Sequence, residues 1–294
     1  MAKAYHCSLG KPDERNVTPL TLKLRVALEP LNPPGTDSTF KVKARGLTFN
    51  CVPYPAAEFE TFKARFQREI AQTWSGKVFI VVPEPGYPFS LPPETYSKFV
   101  RPGASRFKPV VECRLAIDLN AQPDYRLAVI KRAPGEKPFP SFMYSEKKEN
   151  RPDGVFDSTD LDMKLMTHSV LKNDKLVSAE FERRTAQHEV GHLLGLEHVN
   201  MSPPICQTDG NASICYGDTI WKAGDMMGVG GAIRAWHGRP WLEVLKKLAK
   251  HKKGWRLVTD PAAAGGAPIP TLVDRIHAAA RSAALQLWQE VSAA

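Results

Sequence analysis

Residues 188–198 read His188-Glu189-Val190-Gly191-His192-Leu193-Leu194-Gly195-Leu196-Glu197-His198, and the fold turns on how these eleven are arranged. In an α-helix each residue advances about 100° and 1.5 Å. His188 and His192, four apart, therefore share one face a turn apart and can reach a single ion. Glu189 points beside that pair, where a carboxylate can take a proton from water activated by the metal. Gly191 adds little by spacing alone. Gly195 can take the left-handed conformation that ends a helix, after which His198 can swing back as a third ligand. Three protein ligands leave the fourth tetrahedral position of zinc open, as in catalytic sites. Cys206 is the nearest downstream cysteine that could close it.

The flanks predict a helix from near Ala179 to about Leu194. Ser178 would be its N-cap, and Glu180 and Glu182 would sit in its first turn, where the helix dipole favours negative charge. Ala186, Val190 and Leu193 recur at i, i+4 and i+7, an apolar stripe for the core. Prolines return only at Pro203-Pro204.

The pattern His-Glu-x-x-His-x-x-Gly-x-x-His resembles the signature of the metzincin zinc peptidases. That family also has a methionine turn some tens of residues downstream. Here Gly224-Asp225-Met226-Met227-Gly228-Val229-Gly230 stands at that place, with Met227 the better match and Met226 the alternative. The resemblance implies an α/β (α+β) fold: a twisted mixed sheet with two long helices above a cleft, and a small C-terminal subdomain with the methionine turn below. It implies a zinc endopeptidase with one catalytic Zn2+ on His188, His192 and His198. Glu189 would be general base and then acid, and Met227 the floor of the site. Some metzincins carry a tyrosine two residues after the turn methionine; here that residue is Val229. His237 and Tyr216 are then the candidates to stabilise the tetrahedral intermediate. The matching division of the chain is an upper subdomain over 1–195, a lower one over 196–260, and a linker with a final helix over 261–294. Two rival readings are an amidase or endopeptidase acting on peptidoglycan peptides, and a catalytically silent, zinc-stabilised binding module delivered as an effector.

Composition sets limits. The chain has 294 residues, with 43% hydrophobic and 24% charged, ordinary for a globular protein. A net charge of +9 would suit anionic partners, but the basic residues are dispersed. The densest run, over 246–253, continues an amphipathic stretch with Trp241, Leu242, Val244 and Leu245, so it reads as the solvated end of a helix. No nucleic-acid-binding signature accompanies it. No stretch is long and apolar enough to cross a membrane, and the first ten residues lack the apolar core of a signal peptide. The expectation is a protein cytoplasmic in its producer and then secreted or delivered by a non-classical route, with a protein or peptide substrate; delivery machinery and a cognate inhibitor are open. Cys206 and Cys215 bracket a short polar loop, where a disulfide would stiffen the lower wall of the cleft. Cys51 and Cys113 lie in strand-like runs, to pair or stay buried thiols, and Cys7 is left over.

Along the chain, 20–28, 41–52, 77–82, 110–119 and 126–132 read as strands. Residues 58–74 read as a helix, with Phe59, Phe62, Phe66, Ile70 and Trp74 on one face. Residues 83–93 are proline-rich, and 134–162 read as loop with a short edge strand at Val155-Phe156. Metzincins pair extended substrate with an edge strand above the cleft. Asp153, Asp157, Asp160 and Asp162 are an irregular set for calcium. A helix is expected over 239–250, and Thr271 with Asp274 would cap the last one, whose apolar face runs from Val273 to Trp288.

Overall fold

The longest strand organises the molecule. In β2 (Val17–Pro30), Leu20, Leu22, Leu24 and Val26 are fully buried and alternate with half-exposed or exposed Thr21, Lys23 and Arg25, the period-two pattern of a strand with one face on the core. Along it lie β1 (His6–Leu9), antiparallel, and β6 (Val110–Asp118) and β7 (Tyr125–Arg132), both parallel. β6 pairs with the first part of β2 and β7 with the last. The computed structural model describes residues 5–13, 17–33, 38–44, 46–81, 110–144, 148, 151–248 and 255–259. Among these, ten strands form one mixed sheet whose main order is β12-β5-β6-β2-β7-β4-β3, with β3 (Phe40–Ala44), β4 (Leu47–Val52), β5 (Phe79–Val81) and β12 (Arg256–Val258). The 41–52 run is thus a hairpin, turning at Gly46, rather than one strand.

Helix α1 (Ala56–Trp74) lays Phe59, Phe62, Phe66, Ile70 and Trp74 on the core. Burying each such side chain contributes about 1.5–3 kcal/mol. Phe66 meets Phe156 edge to face, and the Trp74 indole donates to the Gln187 carbonyl at 3.2 Å. That bond ties the end of α1 to the start of α2 (Thr185–Leu193), the helix that carries the first two histidines. At the other end of α2, the Tyr125 hydroxyl of β7 donates to the Leu193 carbonyl. Beyond it come two short helices, α3 (Pro204–Thr208) and α4 (Ile220–Ala223), and then α5 (Arg239–Leu248), whose Trp241 is buried.

The arrangement is a mixed α/β fold with a large sheet and few helices, and it departs from expectation in three further places. Two long helices above a cleft are not present among the described residues, where only α1 is long. The helix expected from Ala179 begins at Thr185 instead, so Ser178 caps nothing and Glu180 and Glu182 lie in a strand. Residues Lys164–Lys172 (β10) and Lys175–Arg183 (β11) form a separate two-stranded sheet. The reason is local. Val177, Ala179 and Phe181 alternate with exposed Ser178, Glu180 and Glu182, and Asn173-Asp174 both have positive φ, 51° and 59°, as a two-residue hairpin turn demands. Third, Val155-Phe156 is no edge. Gly154–Asp157 (β9) lies between β7 and β8 (Phe142–Met143), and its four residues are all buried. Residues 83–93, the basic run after Leu248, and 261–294, where a capped helix is expected, lie outside the described residues.

The hairpin makes a sharp prediction. Asp174→Val places a β-branched residue at positive φ and should cost about 1–3 kcal/mol, with faster amide exchange along β10 and β11. Unchanged exchange there would contradict the hairpin.

Candidate metal centre

Helix α2 sets His188 and His192 a turn apart, ring centroids 4.9 Å from each other. Its end is built by hydrogen bonds. The amide of Gly195 donates to the His192 carbonyl and that of Leu196 to the Gly191 carbonyl. With Gly195 at φ +81°, this is the paired-bond helix stop that needs a left-handed residue. The chain reverses there and brings the His198 ring within 5.3 Å of His188 and 4.8 Å of His192. One ligand atom from each of the three lies within 4.8 Å of the others.

The protons of these rings are fixed by their neighbours. His188 Nδ1 is 2.7 Å from the Met226 carbonyl, His192 Nδ1 2.9 Å from that of Leu196, and His198 Nδ1 2.6 Å from that of Gly210. A carbonyl oxygen only accepts, so each Nδ1 carries the hydrogen and each Nε2 keeps its lone pair. Burial drives the His188 pKa well below its ordinary value, helped by the charge of Arg183. Burial likewise brings His192 down to about 4, against the bond to Leu196. Both imidazoles are therefore neutral near pH 7. The Nε2 atoms of His188 and His198 approach to 3.3 Å with lone pairs on both, a contact that a cation between them would turn from repulsive to favourable. Zinc–nitrogen bonds of 2.0–2.1 Å at tetrahedral angles put their nitrogens ~3.3 Å apart, the separation of His188 and His198, and the all-imidazole donor set is of a kind that zinc takes.

Glu189 is buried and lines a cleft of about 320 Å³ with His192, Met143, Tyr144, Asn211 and Tyr216. A second hollow of about 400 Å³ continues past His192 to His198, Gly210 and Met201. Met143 and Tyr144 wall both, Met143 ending β8 and Tyr144 following it; Asn211 also lines both, and Gly210 the second. Comparison with family models, curated proteins and solved structures finds no match for this chain. The character of the centre therefore rests on its geometry.

Met227 is fully buried beneath the helix, where a Cβ on Gly191 would overlap its sulfur and lie 3.3 Å from the Trp74 ring. Gly191 is thus the gap that lets the methionine turn close on α2, contrary to the reading that it adds little. Met226 contributes its carbonyl, not its side chain, to His188. The turn is fixed by Asp225, whose buried carboxylate accepts from the Met227 amide, the Trp236 indole and His237 Nε2. His237 is fully buried and also accepts from the Arg234 amide, so it belongs to the turn and not to the cleft. Tyr216 does reach the centre, its ring 4.0 Å from that of His198.

Cys206 and Cys215 form a disulfide, S–S 2.02 Å, that clips the loop carrying Gly210. Cys51 and Cys113 are buried free thiols and Cys7 an exposed one. The four aspartates do not converge. Asp153 accepts from the Arg126 amide, Asp157 pairs with Arg132, Asp160 with Lys164 and Ser141, and Asp162 with Arg65. Among the described residues the histidine trio is the group able to hold an ion. Asp160 serves the centre in a different way, because its backbone carbonyl accepts from the Ala186 amide and so anchors the start of α2.

Residues that the sequence did not single out are Arg183, the wall at Met143-Tyr144, Asn211, and the carbonyls of Leu196 and Gly210. Arg183 ends β11 with its guanidinium 3.7 Å from Glu189.

Two outcomes follow from this packing. Gly191→Ala should overpack the contact with Met227, lowering stability by about 1–3 kcal/mol in urea titrations and weakening zinc binding in step. Cys206→Ser with Cys215→Ser should keep the fold, by circular dichroism, yet lower zinc affinity by about 10-fold or more through the loosened Gly210 bond to His198; equal affinity in a competition with a coloured chelator would contradict that link.

Proposed function

We propose that the chain is a zinc-dependent endopeptidase of the metzincin type, cleaving protein or peptide substrates. The observation that carries this reading is the convergence of three Nε2 lone pairs beside a buried glutamate at the edge of an open cleft. Three imidazole ligands suit zinc above the harder divalent ions. When bound, zinc would supply Lewis-acid polarisation of the scissile carbonyl and would acidify water. Glu189 takes the proton from the attacking water and returns it to the leaving amine. Tyr216, on the cleft wall, donates to the developing oxyanion, the role His237 is not placed to fill. The methionine turn under Gly191 and the His-Glu-x-x-His-x-x-Gly-x-x-His pattern support the metzincin type.

The edge strand β8, at the upper wall, offers backbone groups to an extended peptide, a mode of recognition that asks little of substrate sequence. The Cys206–Cys215 bridge supports work in an oxidising compartment, in keeping with secretion or delivery.

Casein cleavage by the zinc-loaded protein should be abolished by a chelator and restored by zinc. Glu189→Gln should keep its zinc in elemental analysis while losing roughly 10²-fold or more of the rate, the scale of a general base. Proteolysis at the wild-type rate in that variant sinks the assignment. Chelator-sensitive cleavage of cell-wall peptides in place of casein would change the substrate class and leave the centre as described.

A further inference from the structure

We infer that Arg183 is a positioning residue for the general base: it holds the Glu189 carboxylate in place from behind the metal helix. This rests on the catalytic reading above and extends it to a residue that no motif contains. Arg183 is the last residue of β11, and Glu189 lies in the second turn of α2; only Arg184 separates the strand from the helix. The side chain is about one-tenth exposed, with its guanidinium 3.7 Å from Glu189 Oε1 and 5.8 Å from the centre of the Tyr216 ring. Among the described residues its Nε is buried without a hydrogen-bond partner.

The direction of approach defines the role. Arg183 does not line the cleft that holds Glu189, His192 and Tyr216. It lines a separate hollow of about 500 Å³ behind α2, with Gln187, Arg184, Phe181 and Gly230-Gly231. It therefore meets Glu189 on the side away from substrate. A carboxylate drawn by one oxygen toward a buried cation loses rotational freedom, which favours one orientation for proton transfer. β11 can deliver this charge because it runs as a strand: in a helix starting near Ala179, Arg183 would lie one and a half turns away from Glu189 on another face.

The test uses the zinc-loaded protein with a peptide substrate, comparing wild type, Arg183→Ala and Arg183→Lys. Arg183→Ala should keep zinc content and KM within about two-fold while kcat falls about 10-fold or more, the signature of a lost positioning contact. Guanidinium chloride at low millimolar concentration, entering from the rear hollow, should restore part of that kcat; sodium chloride and urea at equal concentration should not. Arg183→Lys keeps the charge and loses the fork, so its kcat should fall between the two; should Arg183→Ala fail to fold, this variant carries the comparison alone. An active wild type with undiminished kcat in both variants, a loss confined to zinc content or KM, or equal rescue by sodium chloride overturns the role of Arg183. A wild type that cleaves nothing in a chelator-sensitive way overturns the catalytic reading itself, whatever the variants do.

Discussion

Each of the three histidines donates its Nδ1 hydrogen to a backbone carbonyl, and the metal centre depends on those three bonds. An imidazole has two nitrogens and, when neutral, one hydrogen; a ligand is made only if the hydrogen is on the far side. Carbonyl oxygens enforce that choice because they cannot donate. The three carbonyls come from three separate pieces of chain. Leu196 follows the helix stop, Met226 lies in the methionine turn, and Gly210 sits in the loop closed by the disulfide. Three local folding problems must therefore be solved together before three lone pairs point at one place.

The turn at Met226 shows how such a problem is solved. Its carbonyl can face His188 only if the backbone of 225–227 is held, and Asp225 holds it with three donors on one buried carboxylate. A buried carboxylate is costly unless its acceptor sites are filled, and here they are. His237 takes the Arg234 amide on Nδ1 and gives its Nε2 hydrogen to Asp225. The Met227 side chain then fills the space that Gly191 leaves, against Trp74 at the end of α1. In this way the sheet-packed helix, the metal helix and the turn share one contact.

What could be read from the sequence was what side-chain spacing alone determines. The histidine trio, Glu189, the helix stop at Gly195 and the aromatic row of α1 all follow from periods of 3.6 residues and from one glycine. The start of α2 did not, because acidic residues beside apolar ones suit a first helical turn as well as an exposed strand. Val177, Ala179 and Phe181 carried the period-two signal, but what decides for a strand is a partner, β10, brought round by Asn173-Asp174. Gly191 looked neutral because its neighbour Met227 is distant in sequence. The carbonyls of Leu196 and Gly210 carry no residue code at all. The aspartates of 153–162, an irregular set for calcium, are salt-bridge and backbone partners, one of which holds α2 by its first turn.

Two residues with unsatisfied buried groups, Arg183 and Gln187, sit at the start of the same helix. A buried ion pair seldom adds net stability over apolar packing, because desolvation offsets its attraction. The chain nonetheless places Arg183 and Glu189 together in the interior, and it buries the Gln187 amide near them with neither its nitrogen nor its oxygen hydrogen-bonded among the described residues. Leucine or methionine at 183 and 187 would pack the same hollow at lower cost. Local losses of this kind collect where a side chain is kept for chemistry rather than for folding. They lie within six residues of one another at the start of the helix that carries the motif, on the side of Glu189 that faces away from the cleft. A cation kept there at the expense of stability is what the proposed general base needs if it is to hold one orientation.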